Sequence, residues 1–139
     1  MTTVFLTALR NNMLDEITAL LDAGTTGALI NIYTTGSGQP ATGGSITDQT
    51  LLGTLTMSTT SFPAASSGTM TANAITQEDA ALASGEATWA RITDSNAVFV
   101  MDVNVSESGG GGEIILNDTT IVQNGTISLN SFTITAGNS

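Results

Sequence analysis

The sequence predicts a mainly β protein, an antiparallel β-sandwich of about eight strands that follows one N-terminal amphipathic helix. Its 139 residues, of which 40% are apolar, are enough for one domain with its own core. Only 10% of the residues are charged, and Thr, Ser, Asn and Gly take their place, as is typical of β-protein surfaces. Beyond residue 27, short runs that alternate apolar and polar residues are separated by turn residues, which is the pattern of a sandwich or barrel.

The first element is predicted to be a helix, because apolar residues recur at steps of three and four residues and share one stripe. The stripe consists of Leu6, Leu9, Met13, Ile17, Leu20 and Leu21. Thr2 or Thr3 can cap the start of the helix, and Gly24 is placed to end it. The charged residues fall off the stripe and are expected to face solvent: Arg10, Asp15 and Glu16.

We expect the stripe to be buried against a neighbouring subunit rather than against the sandwich, because eight strands can close a core without a helix. Residues 1–27 are therefore predicted to form a helical arm, and residues 28–139 are predicted to form the sandwich domain.

The predicted strands follow at short intervals along the rest of the chain. They cover residues 28–34, 51–57, 69–75, 86–94, 97–105, 113–116, 120–123 and 125–135. Residues 94–96 and the pair Asn124 and Gly125 are predicted to form hairpin turns. The apolar phase of the last strand changes at residues 130–131, which indicates a β-bulge. The glycine run 109–112 is predicted to form a mobile or unusually tight loop.

The residue repertoire excludes most catalytic chemistry. The chain has no Cys, His or Lys, which removes disulfides, thiol and imidazole catalysis, Cys/His zinc sites and Schiff-base formation. Twelve acids against two arginines give a net charge of −10, so nucleic acids and anionic membranes are not expected partners. The N-terminus lacks the basic region of a signal peptide, and synthesis in a cytoplasm is expected. We predict a protein that is not an enzyme and needs no cofactor.

Two carboxylates are the best candidates for acid–base or ion chemistry. Asp94 and Asp102 flank a predicted hairpin, and two carboxylates on neighbouring strands can serve a glycosidase or hold Ca²⁺. We favour the simpler interpretation, in which Asp94 caps the turn and Asp102 lies on a solvated strand face. The other acids lack the spacing of metal ligands, so no metal site is predicted.

Trp89 and Arg91 lie on one face of a predicted strand. Such a pair can form a cation–π contact at a binding surface. We favour the alternative, in which Trp89 is a core residue and Arg91 pairs with an acid at the rim of the core.

Short sequence phrases follow the helix in a characteristic order. They are LINIY (29–33), PAT (40–42), LLGTLT (51–56), GEATWAR (85–91), DSN (94–96) and SFTI (131–134). This layout resembles the small virion structural proteins of tailed bacteriophages, and it is most similar to the jelly-roll cement proteins on the outside of capsids. The resemblance covers nearly the whole chain, includes no catalytic motif and implies a jelly-roll-like sandwich.

The resemblance implies a non-enzymatic decoration protein that binds the outer capsid surface, and bridges and stabilises subunits of the major capsid protein. It implies a location on the virion exterior and a dimer or trimer of the chain on the capsid. The alternative is a tail, collar or fibre module that binds carbohydrate or another tail protein. A glycosidase is disfavoured, because four Phe, one Tyr and one Trp are few for a sugar-binding cleft. The candidate interface residues are Phe5, Leu6, Leu9, Met13, Ile17, Leu20, Phe62 and Arg91.

Overall fold

The structure, a computed structural model, describes residues 4–137 and confirms a mainly β fold with one helix. The predicted N-caps Thr2 and Thr3 lie outside the described residues. The elements are α1 (Thr7–Leu21), β1 (Leu29–Tyr33), β2 (Leu51–Met57), β3 (Thr69–Thr71), β4 (Ile75–Thr76), β5 (Gly85–Glu86), β6 (Trp89–Thr93), β7 (Phe99–Ser106), β8 (Ile114–Leu116), β9 (Thr120–Ile121) and β10 (Leu129–Thr135).

Eight of these strands form one curled sheet, in the order β3-β10-β8-β7-β6-β1-β2-β4. β3 and β4 stand at opposite ends of this order, yet only residues 72–74 separate them in the chain. Because so short a segment spans at most about 15 Å, the two ends of the sheet must approach each other. The sheet therefore curls around one core. β5 and β9 pair separately as a two-stranded sheet.

The sheet is mainly antiparallel, as predicted, but it contains one parallel pair of strands. β7 and β8 run parallel, with Val105 beside Ile114. Parallel neighbours usually need a long crossover, but here a short loop that contains the glycine run 109–112 brings the chain from Ser106 back beside Val105, and β8 then runs in the same direction as β7. Two glycines of the run have positive φ. A Cβ on Gly112 would stand 2.9 Å from the carbonyl oxygen of Asn104, so this close approach requires glycine.

The third and fourth predicted strands are each divided in two by a change of hydrogen-bond partner. The amide of Ala87 donates to the carbonyl of Thr119, whereas the next amide, that of Thr88, donates to the carbonyl of Tyr33. The chain therefore leaves β9 and joins β1 at this point, which separates β5 from β6. The corner at residues 72–74 separates β3 from β4 in the same way.

The predicted turns have mixed outcomes. Residues 94–96 form the predicted hairpin turn between the antiparallel strands β6 and β7. Asn124 and Gly125 form a turn but no hairpin, because β9 pairs with β5 and not with β10. The predicted bulge in the last strand is confirmed, since the register of β10 on β8 shifts between Leu129 and Ser131.

The core fills the inside of the curled sheet. Leu14 and Leu21 of α1 join it, so the expectation that the strands close the core without the helix is wrong. The buried residues that the sheet contributes include Ile30, Ile32, Leu52, Leu55, Ala90, Ile92, Ile114 and Phe132.

The end of the helix differs from the prediction. Asp22 is the C-cap residue, and Gly24 has no positive φ. Gly24 is needed for a different reason, because a Cβ there would overlap the side chain of Ser95 in the β6–β7 turn.

Candidate functional site

Helix α1 is held on the body of the protein by polar side chains as well as by its buried leucines, Leu14 and Leu21. Asn11, Asp15 and Asp22 each accept a hydrogen bond from a backbone amide of the irregular segment 61–68, at distances of 2.8 to 3.0 Å. Thr18 donates to a side chain of β3 at 3.6 Å. These four residues follow one another at steps of four, three and four, so they share one face of the helix. That face satisfies amides that have no strand partner.

The opposite face of α1 carries large apolar side chains. A second row of residues has the same steps of four, three and four as the polar row but begins two residues earlier, at Leu9. A shift of two residues rotates this row by about 200° around the helix axis relative to the polar row. Its members are Leu9, Met13, Glu16 and Leu20. The three apolar members are 44%, 40% and 50% exposed. Leu6, which is 74% exposed, precedes this row. We call these five residues the outward seam.

The chain itself buries only part of the predicted stripe. Of its six members, Leu21 is buried and Ile17 is half-buried, whereas the other four are exposed on the outward seam. Leu14, which the pattern did not assign to the stripe, is buried instead. The side of the helix that meets the body carries the hydrogen-bonding polar residues beside Leu14 and Leu21, and the outward seam remains outside. Its burial against a neighbouring subunit stays a prediction.

Of the three charged groups of α1 expected to face solvent, Asp15 and Glu16 are exposed, whereas Arg10 is half-buried. Arg10 donates to the carbonyl oxygen of Ala136 at 3.1 Å, and Asp15 binds the amide of Ala65. Glu16 is exposed and has no hydrogen-bond or ion-pair partner among the described residues. The sequence analysis placed Glu16 off the apolar stripe, although its steps of three and four residues to Met13 and Leu20 put it in the same row.

The two candidate phenylalanines occupy different environments. Phe62 is only 1% exposed and packs edge-on against Phe132, with 5.2 Å between the ring centroids. It belongs to the core, and the prediction that it forms an exposed interface is wrong, because the segment that carries it is folded beneath α1. Phe5 is exposed and directly precedes Leu6, at the N-terminal end of the outward seam.

A second ordered cluster lies on the outer face of β1, β6 and β7. The rings of Tyr33 and Trp89 stack with centroids 4.8 Å apart. The guanidinium carbon of Arg91 lies 5.6 Å from the centre of the Trp89 ring and 5.1 Å from that of Phe99. Arg91 also forms a bidentate ion pair with Asp102, at 2.9 and 3.0 Å. Trp89 is buried and Arg91 pairs with an acid, as predicted, but Asp102 is not on a solvated face.

The candidate interface residue Arg91 is engaged within the chain. A third bond, 2.7 Å long, joins its guanidinium to the carbonyl oxygen of Gly44, in the loop that covers the cluster. The hydrogen bonds to Asp102 raise the pKa of Arg91 above its usual value. Burial raises the pKa of Tyr33, and Arg91 opposes that effect. Because these contacts occupy the guanidinium of Arg91, the cluster serves to hold the sheet and its covering loop together, and few donors of Arg91 remain for a binding partner.

A groove of about 490 Å³ runs beside the cluster, along the first half of β7. This half of β7 has no neighbour on the groove side, because β8 pairs only with Val105 and Ser106. Two features interrupt this free edge of β7. One is a register shift opposite Thr93, and the other is the carboxylate of Glu113, which accepts a hydrogen bond from the amide of Asn104 at 3.0 Å. Such interruptions protect edge strands from pairing with other chains. The groove is lined by Gln39, Pro40, Ala41, Thr42, Phe99, Val100, Met101 and Asp102.

Two further acids, Asp94 and Asp48, bind nearby turns and loops. The carboxylate of Asp94 accepts hydrogen bonds from the amides of Asn96 and Val98, at 2.8 and 2.9 Å, which confirms the prediction that Asp94 caps the turn. The hydroxyl and amide of Ser37 bind the carboxylate of Asp48 and lower its pKa. Within residues 4–137, no group of three or more acidic side chains is arranged to hold a metal ion.

Comparison with known proteins found no matching family model, no similar curated protein and no similar solved structure. In the part of the chain that the structure describes, no helix is long and apolar enough to cross a membrane.

Proposed function

We propose that the protein is a non-enzymatic virion structural protein of a tailed bacteriophage, a cement protein that binds the outer capsid surface and bridges major capsid protein subunits. The observation that carries this proposal is the outward seam, a row of large apolar side chains that the folded chain presents to solvent. A contiguous apolar patch on a small protein generally marks an interaction surface.

The seam is suited to a contact that is repeated over an assembly. Leu9, Met13 and Leu20 keep 44%, 40% and 50% of their surface exposed, and covering this exposed part contributes roughly 1 kcal/mol per side chain. One such contact alone is weak. A protein that touches two capsid subunits at once gains affinity from the high effective concentration of the second site. Weak individual contacts are therefore compatible with stable bridging.

The rest of the surface supports a role that requires contact and no chemistry. The chain has no Cys, His or Lys, and its exposed loops are rich in Thr, Ser and Asn. These neutral groups form hydrogen bonds with a smaller desolvation penalty than charged groups. The net charge of −10 keeps free copies apart in solution before they bind.

The carbohydrate-binding alternative receives less support from the structure. Tyr33 and Trp89 are stacked on each other, and Arg91 lies over the Trp89 ring, so these rings do not form an open stacking platform. A tail or collar protein that binds another protein would use the same outward seam. The experiment must therefore distinguish heads from tails.

The test uses heads and tails of the phage that encodes the chain, purified separately from particles that lack it. We expect the added protein to sediment with heads, and electron microscopy to show it on the outer surface across subunit boundaries. The double variant Leu9→Glu, Leu20→Glu should bind at least ten-fold more weakly, with an unchanged circular dichroism spectrum.

Val122→Glu is the matched control, because Val122 is exposed and apolar but lies outside α1. This variant should bind heads as the wild type does. Binding to tails alone, or binding that the seam substitutions leave unchanged, would contradict the proposal.

A further inference from the structure

The outward seam contains one charged residue, and that residue restricts what can cover it. Glu16 lies between Met13 and Leu20 in the row, is exposed, and has no partner among the described residues. Covering the seam removes water from this carboxylate. Burial of an unpaired charge is strongly unfavourable, whereas burial beside a cation is tolerated. The covering surface must therefore bring a cation to Glu16.

A second copy of the chain has no cationic side chain available for this purpose. The sequence contains two, Arg10 and Arg91. Arg91 is held by Asp102 and by the loop carbonyl of Gly44. The Arg10 guanidinium is turned toward the body, where it donates to the carbonyl of Ala136. Two copies that met through their seams would also each carry a net charge of −10. The occupant of the seam is therefore a different protein.

The spacing of the seam indicates the shape of that occupant. Its members on α1 follow one another at steps of four, three and four, which is the a/d spacing of paired helices. In such pairs, the side chains of one helix insert between those of the other. A flat surface or an extended strand does not match this period.

We propose that the outward seam binds an amphipathic α-helix of another protein, one that carries aliphatic residues at steps of three and four and a lysine or arginine facing Glu16. The inference rests on the proposed function to the extent that a capsid supplies this helix. The seam itself, however, can be tested without a capsid.

The probes are two synthetic helical peptides with leucine at all a and d positions except one central d position. That position is lysine in one peptide and glutamate in the other. Calorimetry on the full-length protein should show at least ten-fold tighter binding of the lysine peptide. Glu16→Lys should reverse this preference, and Glu16→Gln should reduce it to less than about three-fold.

Asp79→Lys is the matched control. It changes the net charge by the same amount as Glu16→Lys, at an exposed site outside α1, and should keep the wild-type preference. Equal binding of both peptides to the wild type would overturn the proposal. So would a wild-type dimer, seen by sedimentation, that Leu9→Glu dissociates.

The capsid assay separates this inference from the proposed function. If the chain binds heads and Glu16→Lys binds them equally well, the charge partner is wrong and the capsid role stands. If the lysine peptide is preferred but heads are not bound, the helix-binding seam stands and the capsid role is wrong.

Discussion

Helix α1 and the outer face of β1, β6 and β7 distribute polar and apolar residues in opposite ways. The helix turns Asn11, Asp15 and Asp22 toward the body and leaves Leu9, Met13 and Leu20 in solvent. The outer face of the sheet instead covers its charges, with Arg91 and Asp102 paired beside stacked aromatic rings. Polar groups of α1 therefore contact the body beside buried leucines, whereas those of the sheet pair with one another on its outer face.

The backbone that each region meets explains this difference. The amides of β1, β6 and β7 are paired within the ladder, so the side chains above them pair with one another. Segment 61–68 beneath α1 has few ladder partners, and its amides take acceptors from the helix. The face of α1 that meets the body therefore combines buried leucines, Leu14 and Leu21, with polar side chains that satisfy the facing amides.

The largest expected effect comes from breaking the covered ion pair. Asp102→Ala should lower the free energy of unfolding by about 3 kcal/mol, because it leaves the Arg91 guanidinium desolvated without its carboxylate. Urea denaturation followed by Trp89 fluorescence measures this loss. Asp79→Ala, at an exposed site, should change stability by less than about 0.5 kcal/mol. A loss below about 1 kcal/mol for Asp102→Ala would show that the pair is effectively solvated.

Two adjacent leucines test the orientation of α1. Leu21 is 0% exposed and Leu20 is 50% exposed. Leu21→Ala should cost about 2–3 kcal/mol of unfolding free energy through lost burial and a cavity. Leu20→Ala should cost less than about 0.5 kcal/mol in the isolated protein. Equal losses in the same denaturation experiment would mean that the helix is rotated relative to the structure described here.

The sequence predicted the two regions unequally well, for reasons that the residues make clear. The alternation in LINIY (29–33) and TWARI (88–92) determines which side chains face the core, so the pairing of Arg91 with an acid could be predicted. On α1, the spacing of the apolar residues correctly indicates that they share one side of the helix. Nothing in the helix sequence, however, shows that the facing segment has backbone amides without strand partners. The matching steps of Asn11, Asp15 and Asp22 were visible, but their partners lie about 40 to 57 residues further along the chain.

Polar docking of α1 leaves some buried groups unsatisfied. The three buried side-chain atoms without a partner among the described residues are Nε of Arg10 and the hydroxyls of Ser61 and Ser95. All three lie where α1 and its C-terminal extension meet the body. Ser61→Ala should therefore stabilise the protein by about 1 kcal/mol, because it removes a buried hydroxyl that has no bond.

Ser58→Ala is the contrasting variant for thermal and urea denaturation. The hydroxyl of Ser58 donates to the carbonyl of Ala74 at 2.6 Å, so its removal should destabilise the protein by about 0.5–1 kcal/mol. If Ser61→Ala instead destabilises the protein, an ordered water occupies that part of the helix interface.

The smallest expected effect is spectroscopic and concerns the covered cluster. Tyr33 is the only tyrosine, so the absorbance of its phenolate reports a single group. Burial raises its pKa from the ordinary value of 10.0, Arg91 lowers it, and the charge of Asp102 raises it. Because the folded state favours the neutral phenol, Tyr33 contributes stability below pH 10, and this stability is lost as the pH rises through the pKa of the folded state.

In Asp102→Asn, the carboxylate charge is gone while Arg91 remains, so the pKa of Tyr33 should fall below that of the folded wild type. Leu20→Ala should leave the titration unchanged, since the outward seam is separate from this cluster. A titration that Asp102→Asn does not alter would show that solvent screens the ion pair, and the contrast between a covered sheet face and an open helix face would then be weaker than the geometry indicates.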